Sequence, residues 1–167
     1  MIPLKELKLQ LNINPSECVS MLRYLNTQVI DFDVYLPTKS MNLQRPFVWD
    51  INQKRELINS ILIGRHIPHC AIILNNDESW QVIDGKQRLS TMIEFVNDNF
   101  TLLIDNVKYF YSELPIDYQR QIICHPIRYY RVCEMDSPIT DEDKINWFKF
   151  INFAGTIQDK EHLTKFD

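Results

Sequence analysis

The hydrophobic period of the chain switches at Asp84-Gly85, and no other local signal constrains its path as tightly. Trp80-Gln81-Val82-Ile83 reads as a strand. Leu89, Met92, Ile93 and Val96 then stand at i, i+3, i+4 and i+7, the spacing that aligns side chains on one helical face. Asp84-Gly85 is therefore a strand-to-helix junction. Only three glycines occur among 167 residues. One placed here lets the backbone turn with positive φ and lets a ligand come close, because no Cβ is in the way.

The unpaired N–H groups of the helical turn after Gly85 point above the strand end and favour anions. Lys86 and Arg88 bring two cations to the same place. Arginine can grip a phosphate through two parallel hydrogen bonds, while lysine acts as a mobile point charge. Asp84, at the strand's carboxyl end, is placed to coordinate Mg²⁺ or Mn²⁺ or to orient a water beside the phosphate. The same residues also read as a common Asp-Gly tight turn followed by the solvated first turn of an ordinary helix.

The rest of the chain fits one domain over 1–167. Its size suits a single core, and 45% apolar with 24% charged residues is ordinary for a globular chain. The net charge is −4, so any phosphate ligand must be held by a local site. No apolar run approaches the ~20 residues that cross a bilayer, and the N-terminus lacks the pattern of a secretory signal, so no membrane partner and a cytoplasmic location are expected. The four cysteines, Cys18, Cys70, Cys124 and Cys133, show no paired spacing and read as reduced thiols.

The pattern predicts one or two helices over 4–30, an N-terminal extension starting near Pro15-Ser16-Glu17 with Val19, Leu22 and Leu25 at threefold spacing. Val34 to Leu36 is extended, and 38–50 is an irregular stretch over the surface or a cleft. A helix capped by Asp50 or Asn52 ends at Gly64. A hairpin of 70–74 and 80–83 runs into the junction. A second hairpin crosses Asp105-Asn106, a helix opens at Pro115, a strand covers 127–132, and a helix over 141–152 is capped by Thr140, with a fragment near 160–166. The fold class is α+β, a small mixed sheet surrounded by helices.

A second segment, Asn42-Leu43-Gln44-Arg45-Pro46-Phe47-Val48-Trp49-Asp50, sets a polar pair beside a rigid proline and two aromatics. That composition suits a pocket that stacks a base and contacts phosphate, or a loop whose aromatics pack on the core. LQRPFVWD, GRHIP and VIDGKQRLSTMIEF together resemble the ParB/sulfiredoxin-like domain with the DGQQR motif, the N-terminal part of GmrSD-type modification-dependent restriction enzymes. Phe148 to Thr156 is similar to the family's F-x-x-I-N-x-G-G block, and Glu161-His162-Leu163 to the short helix after it, so the resemblance covers 30–167. Gln44, Arg45 and Pro46 match the first block; Asp84, Gly85, Gln87 and Arg88 match the signature; Asn152 and Gly155 match the third. Lys86 stands where the family usually has Gln, and Ala154 where the third block's first glycine is usual, which could reshape that turn.

The resemblance implies binding and hydrolysis of a nucleoside triphosphate; joined to the reading of the turn, it gives the expectation of Mg²⁺ or Mn²⁺ as cofactor, Asp84 and Arg88 as catalytic groups and Asp84 on the metal. Gln44, Arg45, Gly85, Lys86, Gln87, Arg88 and Asn152 would hold the nucleotide. Some members couple this to DNA cleavage by an appended HNH-type domain. The four histidines here form no such pattern, so the chain is expected to act alone, with a phosphodiesterase action on DNA as one option, or with a separate nuclease or defence protein. The alternative is a non-catalytic sensor of nucleotide or DNA that regulates such a partner.

Other signals carry less. His66-Ile67-Pro68-His69-Cys70 offers possible metal ligands but no second pair. Cys124 and His125 are adjacent and face different ways. Asp136 and Asp141 to Asp143 read as acidic charge at a helix start. The relation to sulfiredoxin raises redox chemistry, but no cysteine neighbours Gly85 in the sequence.

Overall fold

A computed structural model describes residues 12–155. Its centre is a five-stranded mixed sheet in the order β1 (Ser16–Met21), β9 (Pro126–Cys133), β5 (Cys70–Leu74), β6 (Trp80–Asp84), β2 (Ile30–Asp31). β1 runs antiparallel to β9 and β5 antiparallel to β6, whereas β5/β9 and β2/β6 are parallel. The apolar run of β5 is buried on both sides because successive residues feed opposite cores. Ile72, with Trp80 and Val82 of β6, packs against α2 (Ile51–Leu62) and α3 (Lys86–Val96) through Leu57, Ile58, Leu89, Met92 and Phe95. Ala71, Ile73 and Ile83 pack on the other face against Ile145, Trp147 and Phe148 of α5 (Asp141–Gly155) and against Val34, Leu36 and Leu43.

The helices expected after Asp50, Gly85, Pro115 and Thr140 form, the third as α4 (Ile116–Ile123). The hairpin across Asp105-Asn106 forms as β7 (Leu102–Ile104) and β8 (Val107–Tyr109). Asp50 accepts from the Gln53 N–H at 2.9 Å while the Gln53 side chain accepts from the Asp50 N–H at 2.9 Å, a reciprocal cap on α2. Asp50→Ala is therefore expected to cost about 1 kcal/mol, read as a lowered unfolding midpoint in urea with unchanged slope.

Three expectations need correction. The proposed helix over 4–30 fails at 16–21, which is strand β1; its six residues pair in register with β9. Among the described residues of that span only α1 (Leu22–Leu25) is helical, and Val19 stands 54% exposed, off the apolar face that the threefold spacing implied. Pairing with a long neighbouring strand outweighed a weak helical period. Residues 1–11 lie outside the described residues. The stretch 38–50 is not wholly irregular, since β4 (Met41–Asn42) pairs with β3 (Tyr35–Leu36). Finally, α5 continues to Gly155, so Ala154 lies in a helix and not in a reshaped turn. The fragment near 160–166, with Glu161-His162-Leu163, lies outside the described residues.

No helix among the described residues is long and apolar enough to cross a membrane.

Candidate functional site

The register of β5 and β6 shifts just before the junction: Ala71 pairs with Asp84 but Ile72 with Val82, leaving Ile83 as an extra residue. Such a bulge bends a strand and re-aims the side chains beyond it. Gln44 spans the bulge from the facing loop, donating its amide to the Val82 and Ile83 carbonyls at 2.7 and 2.6 Å. Gly85 then turns the chain at φ 103° and ψ 12°, and α3 begins.

A β-carbon on Gly85 would lie 2.5 Å from the Cys70 Sγ and 2.9 Å from its Cβ. Cys70 is the cysteine that sequence reading did not place at the junction; β5 carries it underneath. Burial pushes its thiol up to about 11, with Arg88 opposing and Asp84 adding to the shift. It stays a protonated packing group near neutral pH beneath the turn.

The start of α3 differs from that of α2. Its first intrahelical bond runs from the Leu89 N–H to the Gly85 carbonyl, and Gly85 has no side chain to cap the N–H groups of Lys86, Gln87 and Arg88. Beside this turn opens a cleft of about 120 Å³ lined by Gln44, Arg45, Trp49, Asp84, Gly85, Lys86, Gln87 and Arg88. The two sequence segments thus converge.

Within the cleft most side chains are already engaged. Gln87 accepts from the Val48 and Trp49 N–H groups at 3.0 and 3.3 Å and donates to the Pro46 carbonyl at 3.4 Å, clasping the loop that carries Arg45. Arg88 reaches Asp84 at 2.7 Å and the Pro68 carbonyl at 2.7 Å. Both members of that pair are largely buried, at 15% and 16% side-chain exposure. Lys86, at 10%, turns to Asp33 at 2.5 Å. Arg45 has no ion-pair partner among the described residues.

Asp33 and Trp49 are the participants that site prediction from sequence missed. Trp49 lay in the quoted segment. Asp33, by contrast, carries no local signal: it is presented by a turn in which Asp31 accepts from the Asp33 and Val34 N–H groups, with the buried Val34 at φ 52°. Asn152 does not line the cleft; it is buried in α5 and donates to the Phe148 carbonyl at 2.8 Å. His69 bonds to Glu17 at 3.0 Å and stacks on Tyr130, with the His66 ring centroid 6.3 Å away. Among the described residues no group of three or more His, Cys, Asp or Glu could hold a metal ion.

The two glutamines therefore act as struts of the cleft. Gln44→Ala strips two carbonyls of their donor and is expected to cost about 1–3 kcal/mol, and Gln44→Glu more, because a carboxylate cannot donate. Urea unfolding of the two variants checks the order.

The sequence model of the GmrSD restriction endonuclease N-terminal domain matches residues 28–166. The chain belongs to this family. No curated protein and no solved structure gives a significant match. Membership in the GmrSD N-terminal domain family associates the chain with DNA restriction, and the match spans both segments that build the cleft.

Proposed function

We propose that this GmrSD-type domain binds a nucleoside triphosphate by its phosphates at the Gly85 turn and hydrolyses it in the service of DNA restriction, beside a nuclease or defence partner. The observation that carries this reading is the uncapped start of α3 opening into a cleft beside Arg45, a cation with no counter-ion of its own among the described residues. Backbone N–H groups and an uncompensated guanidinium together form an anion site.

In the hydrolytic step a water adds to the terminal phosphorus, the bond to the bridging oxygen breaks, and the water's proton leaves with inorganic phosphate. Arg45 and the N–H groups of α3 hold the phosphate oxygens. Asp84 orients the water, and Arg88, fixed by Asp84 and the Pro68 carbonyl, faces the charge that develops. One carboxylate in the cleft suits Mg²⁺ or Mn²⁺ held mainly by phosphates and water, which when bound would screen the phosphate charge. Lys86 contributes through Asp33 rather than as a free charge.

The Asp84–Arg88 pair favours a second reading, a sensor that binds without turnover, because each group already satisfies the other. Hydrolysis of ATP, GTP and deoxynucleoside triphosphates with Mg²⁺ or Mn²⁺, with and without DNA, separates the two. Turnover supports the enzyme. Tight binding with no turnover under any condition supports the sensor.

A further inference from the structure

We propose that the nucleoside of the bound nucleotide lies in the groove between the outer face of α2 and the 66–68 segment, so that the domain reads base and sugar there and phosphate at Gly85. The inference rests on the phosphate reading above and adds the place and chemistry of the second half of the ligand.

Size makes the first argument. The cleft at Gly85 offers about 120 Å³, whereas pockets that enclose whole small ligands run to roughly 300–1,000 Å³. It can take phosphate but not a nucleoside. Continuity makes the second. A groove of about 700 Å³ adjoins it and shares two walls, Trp49 and Arg88. Because Trp49 and Arg88 border both spaces, a ligand whose phosphate sits at the α3 start would reach the groove past these two side chains.

Chemistry makes the third. The groove combines apolar surface from Leu57, Ile67 and Pro68 with polar groups from one face of α2, Asn52, Glu56 and Ser60, which fall at four-residue spacing. Trp49 supplies a flat wall at the mouth, suited to stacking a base. Glu56, an exposed carboxylate paired with Arg65 at 2.8 Å, offers an acceptor for base or ribose N–H and O–H donors, and the Asn52 amide can both donate and accept. An apolar body with a few convergent polar groups is the composition of a nucleoside site.

Trp49 also supplies the readout. The other two tryptophans, Trp80 and Trp147, are 7% and 2% exposed, so a ligand-dependent change in intrinsic fluorescence reports on Trp49. The full chain is titrated with ATP, GTP and inorganic tripolyphosphate in Mg²⁺, as wild type, Asn52→Ala and Ser60→Phe, each checked for an unchanged melting temperature. At least one nucleotide is expected to bind ten-fold or more tighter than tripolyphosphate. Ser60→Phe, which projects a ring into the groove, is expected to erase that advantage without changing tripolyphosphate binding, and the milder Asn52→Ala to reduce it. Equal binding of nucleotide and tripolyphosphate, or equal weakening of both by the variants, overturns the groove while leaving the phosphate site standing. Absence of binding by any of the three ligands overturns the phosphate reading and the groove with it.

Discussion

Gly85→Ala is expected to lower the unfolding free energy by about 2–4 kcal/mol and the melting temperature by roughly 5–15 °C. Two independent costs add. At φ 103° an L side chain crowds its own backbone, and the new methyl would stand 2.5 Å from the Cys70 Sγ, a separation that forces the strand or the turn to move. Cys70 is 2% exposed in the middle of the sheet and cannot swing away. A double-mutant cycle separates the costs: Cys70→Ala removes the sulfur, so the pair Gly85→Ala/Cys70→Ala recovers part of the packing penalty and none of the backbone penalty. A Gly85→Ala protein as stable as wild type would mean that the turn does not take this shape. Because the same turn presents the α3 N–H groups, phosphate binding should weaken in parallel with stability.

Asp84→Asn and Arg88→Ala are each expected to reduce nucleoside triphosphate turnover at least 100-fold, about 3 kcal/mol of transition-state stabilisation. They should differ in stability. Asparagine keeps the size of aspartate and can still accept from Arg88, so Asp84→Asn changes the charge with little loss of packing. Arg88→Ala leaves a carboxylate that is 16% exposed without its partner and is expected to cost a further 1–3 kcal/mol, roughly. Arg88→Lys keeps the charge but cannot reach both Asp84 and the Pro68 carbonyl through a planar fork, so it should fold better than the alanine variant while remaining slow. Turnover by Asp84→Asn within ten-fold of wild type would remove Asp84 from the chemistry.

Both predictions depend on a junction that could be read directly from residues 80–96. A strand, a glycine and a one-sided helix in immediate succession leave the backbone few alternatives, and Gly85 adopts the positive φ that its position demanded. The α2 start was equally legible, because Asp50 and Gln53 lie three residues apart and satisfy each other's backbone. Val19, Leu22 and Leu25 misled for the opposite reason. A threefold spacing over seven residues is compatible with several structures, and the partner that decided for a strand, β9, lies more than a hundred residues away.

Local chemistry written into the chain therefore determined the strand-turn-helix, the capped α2, the second hairpin and the mixed class of the fold. Each follows from dihedral preferences and hydrogen bonds between near neighbours. The tertiary structure alone decided what the site's side chains do. Lys86 and Arg88 read alike as cations, yet one is turned to Asp33, 53 residues away, and the other to Asp84 within its own junction. Gln44 and Gln87 read as ligand groups but spend their amides on the bulge carbonyls and on the facing loop. Cys70 lies beneath Gly85 only because β5 pairs with β6. A side chain's reach exceeds the range over which sequence spacing predicts neighbours, so the nearest strong partner in space, and not residue type, assigns each group its role.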